Sequence, residues 1–214
     1  MKSLWHKLFL LGVGIFAFSM GGGTNACAQE FERMSAIEEK LYGEKAFVAT
    51  DYDVMVSIKR FWYKESLRLR NRKYKFVLTG SNDCVLKVTM PASEVFSDND
   101  TVLVASADAA LRPFLKYLRG SDAIASVIVA TYSDNNGSEH YLESMTEARS
   151  RNIETWMLQQ GVAKANILAY GHGNKISLNG NETIKKRRQN RRVSLYLIPN
   201  KNMIKLAKKD KLDK

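Results

Sequence analysis

Apolar and polar positions divide this chain into segments of different period. Tyr52, Val54, Val56 and Ile58 alternate with Asp53, Met55 and Ser57, a period of two that predicts a strand. Upstream, Phe31 to Tyr42 spaces its apolar residues at helical intervals and predicts a short amphipathic helix. Val85 to Met90 has strand character and ends at Pro91, which has no N–H for a ladder. A polar loop follows, and then a helix is predicted from about Ser106 to Leu118, closed by Gly120. Ala125 to Thr131 is a β-branched apolar run, Ser133 to Gly137 has turn chemistry, and Ser138 is a good N-cap. The helix it would start carries Leu142, Met145, Ile153, Trp156 and Met157 and ends at Gly161. Ile167 to Tyr170 predicts another strand, Gly171 to Asn181 a loop rich in glycine and asparagine, and Arg191 to Ile198 a last strand.

From Cys84 onward the order is therefore β-α-β-α-β-β. Strands alternating with helices on this scale imply an α+β, two-layer sandwich with helices on one face of a small mixed sheet. The expected organisation is an export segment at 1–28, an N-terminal extension of unnamed fold at 29–80, the α+β domain at 81–200 and a tail at 201–214. That tail holds six lysines and two aspartates and is expected to fray.

Composition adds compartment and partner class. The apolar fraction of 45% supports one real core. Lys2, His6 and Lys7 precede an apolar run from Leu8 to Met20, then small residues, which is the layout of a secretory signal. Ala26-Cys27-Ala28 offers an A-x-A cleavage site that leaves Gln29 first, while Cys27 is alternatively a lipidation site after a loose lipobox. Either route removes Cys27 from the thiol pool, so Cys84 is expected to pack as a small apolar side chain and no internal disulfide is expected.

The formal charge of +11 favours an acidic partner. Lys59 to Lys75 concentrates eight basic residues and one acidic residue among Phe61, Trp62, Tyr63 and Tyr74. This segment reads either as a basic, aromatic surface for an anionic polymer or as two strands with a solvated basic face. The three histidines are scattered, no Cys, His or acidic cluster has metal-ligand spacing, and Gly171-His172-Gly173 is a turn and not a dinucleotide loop. No cofactor, catalytic set or nucleic-acid motif is expected.

Ser133-Asp134-Asn135-Asn136-Gly137-Ser138, followed by Tyr141, Met145, Thr146 and Arg149, resembles the T-D-x-x-G-S-x-x-Y-N-x-x-L-S-x-x-R-A signature of OmpA-like domains. Gly161-Val162, Gly171-His172-Gly173, Asn181, Arg187 and Asn190-Arg191-Arg192-Val193 continue the pattern in order, and Phe96 and Leu111 precede it. The resemblance spans roughly Cys84 to Pro199 and implies non-enzymatic binding of peptidoglycan in the periplasm of a Gram-negative bacterium.

It assigns Asp134 to the ammonium and Arg149 to the carboxylate of the diaminopimelate side chain. That side chain ends in a zwitterion, so a site for it needs one anion and one fork of donors. Ser133, Asn135 and backbone N–H groups of the turn are expected to assist, with Arg191 near the peptide's carboxylate. The competing assignments are a self-capping turn for Asp134 and a solvated helix charge near Glu143 or Glu147 for Arg149. Leu142 stands in place of the family's asparagine and Lys186 in place of a glycine. These departures leave open an alternative, an interaction subunit of an envelope or secretion assembly with weakened binding, docking through residues 29–80.

Overall fold

The computed structural model describes residues 51–69, 74–79 and 84–212. The expected export segment, Cys27 and the Phe31 to Tyr42 helix lie outside these residues. Five strands form one mixed sheet: β1 (Lys75–Thr79), β2 (Val85–Pro91), β3 (Ala125–Tyr132), β4 (Ile167–Gly171) and β5 (Arg192–Pro199), in the order β1-β2-β5-β3-β4. Only β3 and β4 pair in parallel. Between them runs the helix α4 (Glu139–Gln159), the crossover that a parallel pair requires. The chain thus has the α+β sandwich expected from its pattern, extended by β1 ahead of the boundary placed at residue 81.

Strand alternation explains the two layers. Val127, Val129, Val193, Leu195 and Leu197 face the main core, while Ile128, Ala130, Tyr132, Tyr196 and Ile198 face the opposite side. Helices cover the first face. On the other, Ile176 from the loop after β4 packs on this second apolar cluster. Gly171 marks the closest approach of sheet and helix, since a Cβ built there would sit 2.1 Å from the Glu147 backbone nitrogen.

The alternation at 52–58 is not a strand. Tyr52–Arg68 is a helix, α1, whose Asp51 cap accepts from the N–H groups of Asp53 and Val54. Its buried residues are Val54, Ile58, Trp62 and Glu65, at intervals of four, four and three, the period of one helix face. Val54, Ile58 and Trp62 satisfy both periods, and only Glu65 separates them. Trp62 is fully buried and donates its indole N–H to the Cys84 carbonyl at 2.9 Å. It also meets Phe61 and Tyr117 edge to face. The aromatic residues read as a polymer surface or a pair of strands are therefore largely core contacts, with Arg60, Lys64 and Arg68 left on the exposed side.

Two further expectations change. The helix expected over Ser106 to Leu118 is α2 (Ala107–Leu111), a 3-10 turn at Arg112–Phe114 and α3 (Leu115–Leu118), broken where Pro113 removes an N–H. The tail does not fray at once: after α5 (Ile184–Asn190) and β5, α6 (Lys201–Lys208) buries Met203 and Ala207 and packs beside α1. Asn200 caps it, accepting from the N–H groups of Asn202 and Met203.

Candidate functional site

β3 ends in Thr131 and Tyr132 and releases the chain into the Ser133 to Gly137 turn, where Gly137 has φ +148°. Ser138 then caps α4, accepting from the Tyr141 N–H at 3.3 Å. This strand–turn–helix step sets Asp134 at the sheet's end and Arg149 on the facing side of α4. Both are 3% exposed, and both line one groove of about 1040 Å³. Its remaining walls include the end of β2, the Ser97–Asn99 loop, α5 and Arg191, which lies between α5 and β5.

Arg149 is not a solvated helix charge. Its Nε donates to the Asp100 carbonyl at 2.7 Å and its Nη2 to the Ser97 carbonyl at 3.1 Å, with the guanidinium 4.9 Å from the Phe96 ring centre. Glu143 and Glu147, the neighbours suggested for it, instead pair with Lys175 and Arg151. Burial pulls the Arg149 pKa down, opposed by Tyr141, Asp98 and Asp100. Arginine keeps its proton regardless, so the groove holds a fixed cation bonded to carbonyl dipoles.

Asp134 combines two roles. Its Oδ1 accepts from the Asn136 N–H at 3.2 Å, the self-capping turn, and its Oδ2 accepts from Arg191 Nη1 at 2.5 Å. Arg191 is 31% exposed at its side chain, so the pair sits at the groove's edge with solvent on the arginine side. Ser133 lines the groove and gives its N–H to the Gly173 carbonyl. Asn135 is exposed and does not line the groove, because the turn rotates it outward and Asn136 inward. Two N–H groups of the turn are already taken, Asn136 by Asp134 and Gly137 by the Asn135 carbonyl. The turn thus offers fewer free donors than expected.

The structure also brings in residues that the motif did not single out as ligands: Asn136, Asp98, Arg188 and Lys185. The last two lie on α5, a helix whose Ile-Lys-Lys-Arg-Arg-Gln-Asn sequence lacks an apolar stripe and so left no periodic signal. Asn190 and Arg192 are architectural. Asn190 accepts from the N–H groups of Leu178 and Asn179 and donates to Asn179 O and Asn181 Oδ1, closing the loop over the second sheet face. Arg192 stacks 3.6 Å over Tyr132 and donates to the Ile176 carbonyl. Leu142 is 1% exposed and with Met145 makes an apolar part of the groove where the motif would have an amide.

An α+β sandwich with a charged groove at the end of a central strand defines the class of module. Residues 95–191 match the model of the OmpA family, and this stretch is an OmpA-like domain. Outer membrane protein A of Serratia marcescens is 27% identical over 96 residues, 44% of this chain, and the chain spans only 27% of that relative's length. Many solved structures share the fold, two of which are the following. A MotB-like protein from Desulfovibrio vulgaris superposes with a TM-score of 0.53 at 17% identity, covering 79% of this chain and 98% of its own. The cell wall anchor of the T6SS from Pseudomonas aeruginosa does so with a TM-score of 0.52 at 16% identity, covering 67% and 97%.

Proposed function

We propose that the chain is an exported, non-enzymatic binder of peptidoglycan that holds the diaminopimelate stem peptide in the groove and tethers itself, or an assembly it serves, to the cell wall. The observation that carries this reading is the pairing of Asp134 and Arg149. One buried anion and one buried cation, on separate elements, open into a single groove, and Arg149 is bonded to carbonyls and to no carboxylate among the described residues. A ligand carboxylate supplies the anion that this cation lacks. The ligand's ammonium takes the place at Asp134 that Arg191 holds in the structure.

Export into the periplasm follows from the residue 1–28 pattern, with Gln29 or a lipidated Cys27 at the mature N-terminus; mass spectrometry of that terminus decides between them. The second reading, a protein-interaction subunit of an envelope assembly, draws on the Asp134–Arg191 bond, which already occupies the anion. Co-sedimentation with purified sacculi separates the two. Wild type is expected in the pellet, with Asp134→Ala and Arg149→Ala largely in the supernatant. Wild type left in the supernatant, or both variants pelleting equally well, favours the interaction subunit.

A further inference from the structure

The zwitterion accounts for one positive and one negative charge, yet the groove is far from neutral. Its lining includes six cationic side chains, Lys75, Arg149, Lys185, Arg188, Arg191 and Arg192, against two acidic ones, Asp98 and Asp134. Arg192 is committed to the Tyr132 ring and to backbone carbonyls. Lys75, Lys185 and Arg188 are exposed and make no ion pair among the described residues. A ligand that brought only a zwitterion would leave this excess uncompensated. It would also release Arg191 from Asp134 with nothing to receive it.

Resting on the stem-peptide reading, we propose that the groove selects stem peptides by their carboxylates outside the zwitterion. It takes peptides whose D-glutamate and C-terminal carboxylates are free and discriminates against peptides in which these are amidated. Arg191 is the exchanging residue. In the structure its Nη1 neutralises Asp134, and on binding the ligand's ammonium replaces it there. The half-exposed guanidinium then turns to a ligand carboxylate, with Arg188 beside it on the same wall. A guanidinium is a donor-only fork that matches both oxygens of a carboxylate, whereas an amide offers one oxygen and an N–H₂ that opposes it. The neighbouring Leu142 and Met145 supply no hydrogen-bond donor to compete with the arginines.

Isothermal titration of the purified chain tests this with two synthetic stem tetrapeptides, both keeping the diaminopimelate zwitterion. One has free D-glutamate and C-terminal carboxylates, and the other has both amidated. Free acid is expected to bind about tenfold or more tightly than the diamide, the scale of a charge-assisted hydrogen-bond pair. The double variant Arg188→Gln, Arg191→Gln is expected to lose that preference, binding the two peptides within about twofold of each other whatever its absolute affinity, with a circular dichroism spectrum and melting curve like wild type's reporting that it is folded. Equal affinity of wild type for the two peptides overturns the selection while leaving the stem-peptide reading intact. Binding of neither peptide overturns both. A preference that persists undiminished in the folded double variant overturns the assignment to these arginines.

Discussion

Thr146 stands where the resembled motif has serine, and its contacts explain why a hydroxyl is kept. Its Oγ1 donates back to the Leu142 and Glu143 carbonyls and accepts the Gly173 N–H at 2.8 Å, while its own carbonyl accepts from Thr131 Oγ1. The residue pins the turn after β4 to α4 immediately behind the groove. Replacing it with isosteric valine leaves the buried Gly173 N–H without its acceptor, so Thr146→Val is expected to destabilise the protein by about 1–3 kcal/mol. Urea denaturation checks this, with Thr146→Ser expected to remain near wild type. The same scale separates what the motif could and could not disclose. Asp134 and Arg149 are legible because the turn and α4 lie together in sequence. The carbonyls that hold Arg149 come from Asp100 and Ser97, 49 and 52 positions away, and no local pattern announces them.

At the scale of elements, β2 to β5 were readable because apolar, β-branched runs bounded by glycine, proline and asparagine are compatible with little else. From sequence α1 reads as a strand because Val54, Ile58 and Trp62 fit two periods, and α6 reads as a fraying tail because its lysines mask Met203 and Ala207 on the inner side. α1 is nevertheless anchored to the domain through Trp62 and Glu65. Trp62→Ala empties a fully buried site and is expected to cost about 3–5 kcal/mol by thermal or urea unfolding. Glu65, 2% exposed, accepts from Lys116 Nζ and Tyr117 Oη at 2.5 Å each and from Arg68. Burial alone would raise its pKa, but hydrogen bonds from Lys116, Tyr117 and Arg68 outweigh it and hold the carboxyl below its usual 4.5. A carboxyl depressed on folding contributes stability that is fully present above its unfolded pKa and is lost as pH falls through the folded one. Acid should therefore loosen α1 below about pH 4.5. Glu65→Gln is expected to be less stable at neutral pH and to lose this part of the acid dependence in melts recorded between neutral pH and acid.

For the whole molecule, the charge of +11 is distributed in two ways with different consequences. Part of it is built into the groove as Arg149 and Arg191, where geometry and burial restrict solvent. Another part is diffuse: Lys201, Lys205, Lys208 and Lys209 are exposed along α6, and Arg60 and Lys64 are exposed on α1 beside it. Under the proposed function, a wall polymer rich in carboxylates attracts both, and sacculus binding would combine a specific contact with long-range adsorption. Salt distinguishes them, because the screening length falls from about 10 Å at 0.1 M to about 3 Å at 1 M while a partly buried contact is screened much less. Wild type is expected to pellet with sacculi less completely as sodium chloride rises but to retain a plateau. Residual pelleting of Asp134→Ala comes from the diffuse charge alone and is expected to vanish over the same range. If wild type falls to zero in parallel with the variant, adsorption rather than the groove carries the attachment to the wall.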